Sequence, residues 1–186
     1  MNSTRLVKIS KYLSHHLRHQ PQRLGLQLEP GGWVSVEKLL AACRERDFPL
    51  CRTELEAVVI QNNKQRFSFN DNQTLIRANQ GHSITVDLQL EPRIPPSLLY
   101  HGTGASLVES IQQQGLLKMS RHHVHLSKDI ATAYQVGTRK GKPIIFKVNA
   151  MAMDQADYTF YCSDNGVWLT DFVPPKYLSI ISFDLD

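Results

Sequence analysis

Apolar residues at Leu6, Ile9, Leu13 and Leu17 recur at three- and four-residue steps, which predicts an amphipathic helix from Leu6 to Arg18 that Pro21 must end. After Gly31-Gly32, the alternation in Trp33–Val36 predicts a short strand, and Glu37–Arg46 returns to helical spacing through Leu39, Leu40 and Cys43. Thr53–Asn62 reads as a further helix, with Thr53 as N-cap and Glu56 completing a capping box. Arg66–Phe69 and Thr74–Arg77 then flank Asn70-Asp71-Asn72-Gln73, which has the composition of a hairpin turn. Three helices closed by a hairpin follow a winged-helix order.

The polar, proline-punctuated stretch from Gln80-Gly81-His82-Ser83 to Pro95-Pro96 predicts a boundary between residues 1–90 and residues 91–186. Beyond it, strands are predicted at Leu98–His101, His123–Ser127, Pro143–Val148, Tyr158–Tyr161, Val167–Thr170 and Leu178–Phe183. Helices are predicted over Ala105–Gln114, stopped by Gly115, and over Lys128–Val136, whereas residues 150–158 carry no motif. Many short strands with few long helices argue an α+β chain whose second lobe is a split β-core, not a doubly wound parallel sheet.

Charge sharpens this division. Residues 1–80 hold 12 Lys and Arg against 7 Asp and Glu, whereas residues 81–186 hold 9 against 10, so the formal charge of +4 comes from the first half. A basic lobe joined to a near-neutral one suits a polyanion held by the first, although a solvated basic surface would carry the same charge. No stretch of the 186 residues approaches the roughly 20 apolar residues of a membrane span. The first residues, Met1–Lys8, have neither an apolar core nor a cleavage site of a secretory leader, so a cytoplasmic location is expected. Cys43, Cys51 and Cys162 lack the paired spacing of a disulfide framework or zinc cage and read as plain thiols.

The densest cationic cluster is His15-His16-Leu17-Arg18-His19. Arginine offers a planar fork of donors that matches phosphate oxygens, and histidine changes charge near neutral pH, yet basic side chains also simply complement a helix C-terminus. Arg66 precedes Phe67 and Phe69, which share a face, so alternation aims Arg66 away from the core, where solvent is the ordinary fate. Arg139 lies in the glycine-flanked segment Gly137-Thr138-Arg139-Lys140-Gly141, which suits close approach of an anion or a solvated loop. His101-Gly102-Thr103-Gly104 sits between a predicted strand and helix, where free N–H groups would favour an anion, or the glycines serve only to turn. It lacks the spacing of a dinucleotide fingerprint. His123 and His125 share a strand face without a third ligand, so no metal is expected. The helix over Thr53–Asn62 holds Glu54 and Glu56 and no Lys or Arg, which argues against insertion into a DNA groove.

Taken together, Leu13-Ser14 with Leu17-Arg18-His19, Arg66-Phe67, Tyr100-His101-Gly102-Thr103, Gly115-Leu116, His123–Ser127, Val136-Gly137 with Arg139 and Asn165–Leu169 resemble the RNA 2′-phosphotransferases, called KptA in bacteria. The resemblance spans nearly the whole chain. It implies a winged-helix RNA-binding lobe over residues 1–90 and an ADP-ribosyltransferase-like, NAD⁺-binding lobe over residues 91–186. It further implies removal of an internal 2′-phosphate from tRNA-like RNA, of the kind left by splicing, with NAD⁺ consumed and no metal, membrane or protein partner. Carried over residue by residue, the catalytic set is Arg18, His19, Arg66 and Arg139, and His101, Gly102, Thr103, His125 and Ser127 line the NAD⁺ pocket. Protein-modifying ADP-ribosyltransferases commonly place a glutamate where this chain has Asn165–Thr170, which offers Val167 and no acid. ADP-ribosylation of terminal phosphates on nucleic acid, or nucleic-acid binding without catalysis, are the alternatives.

Overall fold

The computed structural model describes residues 2–61 and 64–181, which form two compact units, residues 1–90 and 91–186. Both are of the α+β kind, with short antiparallel sheets.

In the first unit, α1 (Ser3–His19) starts at Asn2, whose side chain accepts the Thr4 N–H at 3.0 Å. Its apolar stripe of Ile9, Leu13 and Leu17 is completely buried, and Pro21 opens a separate 3-10 turn. Strand β1 (Trp33–Ser35) leads directly into α2 (Val36–Glu45), because the Ser35 hydroxyl accepts the Lys38 N–H. Helix α3 (Arg52–Gln61) is followed by β2 (Phe67–Phe69) and β3 (Leu75–Ala78), and the sheet runs β1-β3-β2 with Val34, Ile76 and Phe69 in one row. Asn70 makes the hairpin turn, its side-chain oxygen accepting the Leu75 N–H at 2.8 Å. The core joins Leu13, Leu17, Leu39, Leu55, Phe67 and Ile76.

The start of α3 differs from expectation. Its first turn-closing bond runs from the Leu55 N–H to the Cys51 carbonyl, and the carboxylate reaching back to the Cys51 N–H belongs to Glu54, at 3.2 Å. Thr53 is therefore inside the helix and not its cap. Glu56 instead pairs with Arg52 at 2.6 Å, while Glu54 also holds Arg5 of α1 at 2.9 Å. Asn62, the predicted last residue of this helix, lies outside the described residues.

The second unit contains β4 (Leu98–Gly104), α4 (Val108–Gln114), β5 (Leu116–Leu117), β6 (Val124–Leu126) and α5 (Ile130–Gly137). It continues with β7 (Pro143–Asn149), α6 (Ala150–Asp154), β8 (Phe160–Cys162), β9 (Trp168–Thr170), β10 (Phe172–Val173) and β11 (Leu178–Ile180). They pair as β11-β7-β4, β6-β9-β8 and β10-β5, with Phe146, Val148, Leu99 and Phe160 in the core. Residues 150–158, featureless in sequence, begin with α6, capped by the Asn149 side chain on the Ala152 N–H. Of the strand predicted over Leu178–Phe183, Ser182 and Phe183 lie outside the described residues.

His101-Gly102-Thr103-Gly104 is not a turn before a helix. All four residues belong to β4, paired with Phe146, Ile145, Ile144 and Pro143 of β7, and the predicted helix over Ala105–Gln114 follows as a 3-10 turn, Ala105–Leu107, running into α4. The glycines have a packing reason. A Cβ on Gly102 would collide with the Ala133 carbonyl of α5, one on Gly104 with the Lys140 carbonyl, and one on Gly137 would come within 3.0 Å of the Thr103 carbonyl. Helix α5 thus lies backbone-on-backbone against β4.

The three cysteines are free thiols, and burial pushes Cys43 up to about 11. No described helix is long and apolar enough to cross a membrane.

Candidate functional site

Helix α1 contains no acidic residue, although anions would suit its N-terminal end, and carries Arg5, Lys8, Lys11 and Arg18 beside His15, His16 and His19. Arg5 is neutralised by Glu54, but Lys8 and Lys11 are exposed and have no carboxylate within ion-pair distance among the described residues. Such an unbalanced helix costs local stability and gains attraction for a polyanion. At four-residue steps Ser10, Ser14 and Arg18 share one side of α1.

Arg66 approaches this same side. Its Nη1 donates to Ser10 Oγ at 3.4 Å, so it is half-buried against α1 and not turned out to solvent as alternation suggested. The reason is local: Arg66 precedes β2, and Gln65, at φ 40°, redirects the chain before pleating begins. Burial lowers the Arg66 pKa from the ordinary arginine value, but the guanidinium stays charged at neutral pH.

Asn79 and the segment Gln80–Ser83, which reads from sequence as the start of a polar boundary, both contact this cluster. The Asn79 N–H donates to the Arg66 carbonyl at 2.9 Å and the Asn79 side chain to the Gln65 carbonyl at 2.8 Å. Gly81, at φ 87°, faces Arg18: a Cβ there would lie 3.6 Å from Arg18 Nη1. Ser83 meets α1 twice, donating its N–H to the Arg18 carbonyl at 3.0 Å and joining its hydroxyl to His19 Nδ1 at 2.8 Å. Only in the structure does the segment stand out: Asn79 and His82 are 5% and 1% exposed, a burial that a simple linker would not have.

In the second unit, His101 Nδ1 donates to the His125 carbonyl at 3.0 Å, which leaves Nε2 as the acceptor of a neutral ring. Burial lowers the His101 pKa, with the His125 bond opposing and Lys140 and Arg121 reinforcing the shift. Tyr100 and Ser127 exchange backbone bonds of 2.9 and 2.7 Å, so Ser127 is tied to the strand holding His101. His125 Nδ1 accepts from Arg121 at 3.2 Å, while His123 leans on the Tyr161 ring. Thr103 is 1% exposed, and its hydroxyl has no hydrogen-bond partner among the described residues. An orphaned buried hydroxyl beside a neutral imidazole acceptor fits a ligand that both donates and accepts, such as a carboxamide or ribose. Arg139 is exposed on the 3-10 turn Thr138–Lys140, whose last carbonyl backs onto Gly104. Arg18, His19 and Arg66 are thus gathered in one unit, while Arg139 and the five candidate NAD⁺ residues belong to the other.

Residues 4–172 match the family described as RNA 2'-phosphotransferase, Tpt1 / KptA family. A Nostoc punctiforme protein named "Probable RNA 2'-phosphotransferase" is 65% identical over 181 residues, covering 97% of this chain and 100% of its own. Proteins of the same name from Trichormus variabilis and Herpetosiphon aurantiacus are 63% and 56% identical, over 98% and 97% of this chain and 100% and 99% of their own. With full-length matches at these identities, and with every motif quoted above inside the matched span, the chain belongs to the RNA 2′-phosphotransferase, Tpt1/KptA family.

Proposed function

We propose that this protein is an NAD⁺-dependent RNA 2′-phosphotransferase acting on an internal 2′-phosphate. The observation that carries the reading is that Arg66 bonds Ser10 of the acid-free helix α1, whose last turn carries Arg18 and His19, in a member of this family. The helix, strand, helix, helix, hairpin order of the first unit supports a winged-helix lobe, and the small antiparallel sheets of the second support an ADP-ribosyltransferase-like lobe.

The residue types fit the two steps of the reaction. A 2′-phosphate oxygen attacks C1″ of the nicotinamide ribose and nicotinamide leaves, joining RNA to ADP-ribose through the phosphate. The phosphate is already ionised at neutral pH, so this step needs positioning and no general base. The ribose O2″ then attacks phosphorus and the RNA 2′-oxygen leaves, giving 2′-hydroxyl RNA and ADP-ribose 1″,2″-cyclic phosphate. Charge gathers on the phosphoryl oxygens here, where the forks of Arg18, Arg66 and Arg139 act, and His19 protonates the leaving oxygen. His101, Gly102, Thr103, His125 and Ser127 are assigned to NAD⁺, with His101 Nε2 and the Thr103 hydroxyl as the polar contacts.

An RNA oligonucleotide with one internal 2′-phosphate, incubated with NAD⁺, is expected to yield nicotinamide and the cyclic phosphate in equal amounts. An adduct formed only on a terminal phosphate would assign ADP-ribosylation instead, and binding without nicotinamide release would make the protein a non-catalytic binder. Lys8 and Lys11 are assigned to flanking RNA phosphates. Replacing both by glutamine is expected to flatten the plot of log KM against log salt by roughly 1.4, at about 0.7 per single-strand phosphate contact, with kcat unchanged. A wild-type slope in the double variant would remove α1 from the RNA-binding surface.

A further inference from the structure

Asn79 and the next four residues, Gln80–Ser83, which the sequence presents as a connection, reach all three site residues in the first unit. Asn79 fixes the backbone at Arg66, Gly81 faces the Arg18 guanidinium, and Ser83 closes on the Arg18 carbonyl and the His19 ring. The segment is anchored between these points: Asn79 and His82 are buried while Ser83 reaches the surface. Without it, Arg18 and His19 would occupy the fraying last turn of a helix, where side chains are poorly fixed.

We propose that residues 79–83 are the positioning strap of the phosphate site and that Ser83 is the positioning residue of His19. The proposal rests on the assignment of Arg18, His19 and Arg66 made above. A hydroxyl is suited to this task because it both donates and accepts. Against the neutral ring it donates to Nδ1, which keeps the proton on Nε2. Against the imidazolium it accepts from Nδ1–H without moving. The ring orientation is therefore preserved while the imidazolium delivers its Nε2 proton to the leaving 2′-oxygen and keeps Nδ1–H on the Ser83 oxygen, the same service an outer partner performs for other working histidines.

Three full-length variants test this: Ser83→Ala, Ser83→Thr and His19→Ala. Two readouts are used, the ring ¹⁵N resonances of His19 in the protein without substrate, and turnover of a 2′-phosphorylated oligonucleotide with NAD⁺. In Ser83→Ala, the neutral His19 ring is expected to lose its single Nε2–H tautomer. The second step is expected to slow about tenfold to a hundredfold, the scale seen for outer partners of working histidines. KM for NAD⁺ stays unchanged, and Ser83→Thr restores both readouts. The strap role is overturned if the His19 ring signals of Ser83→Ala match wild type, or if they change while turnover stays within twofold. It is also overturned if threonine fails to rescue although the melting temperature is native. Absence of wild-type turnover would instead overturn the functional reading, and the positioning role with it, before any variant is compared.

Discussion

Arg18→Ala is expected to lower overall turnover by about a hundredfold to a thousandfold, the scale on which a single donor to a charged transition state acts. Nicotinamide release should fall far less, so that RNA joined to ADP-ribose accumulates. The asymmetry follows from where charge develops. In the first step the dianion only loses charge to a cationic ribose, whereas in the second the phosphoryl oxygens gain it and need the guanidinium. Arg139→Ala should behave in the same way. Electrophoresis of end-labelled RNA separates substrate, adduct and product, and equal slowing of both steps would contradict the assignment. Arg66→Lys tests the fork itself: an ammonium keeps the charge but not two parallel donors, and Arg66 must also reach Ser10. Near-native turnover in that variant would reduce Arg66 to a helix contact.

The second large effect is structural. Gly102→Ala places a methyl group against the Ala133 carbonyl, a backbone atom that no rotamer change can move aside. Destabilisation on the order of 3 kcal/mol is expected, lowering the Tm by about 6–12 °C. Gly166 provides the comparison, because nothing lies near its missing Cβ and alanine there meets only the cost of φ 75°, about 1–2 kcal/mol. Thermal denaturation followed by circular dichroism decides between them. An alanine at 102 that left the Tm untouched but abolished nicotinamide release would make Gly102 a ligand contact and not a packing glycine.

The sequence read well wherever one periodicity held over several residues. The stripe of α1, the Asn70 hairpin and the strands around Phe146 and Leu169 all follow from it. It read poorly where a tertiary contact chose between local options. Thr53 is the better capping residue by type, but Glu54 is recruited by Arg5 from another helix, so the helix begins at Arg52. Alternation was extrapolated one residue too far at Arg66, past the bend at Gln65. The glycines of β4 looked like punctuation because their real neighbour, α5, lies thirty residues on. Gln80–Ser83 looked like linker because its partners are on α1, and a single polar run gives no hint of long-range bonds. The assignment of candidate chemistry rests on residue types and their order, read through the family resemblance.

The contact of α5 with β4 has one more consequence. Main-chain atoms on both sides leave no rotamers to exchange at that junction, so thermal fluctuation cannot open it by side-chain rearrangement. Amides of Thr103 and Gly137 should therefore rank among the slowest in the second unit to exchange with deuterium, and the exposed guanidinium of Arg139 swings from a base that is itself almost immobile.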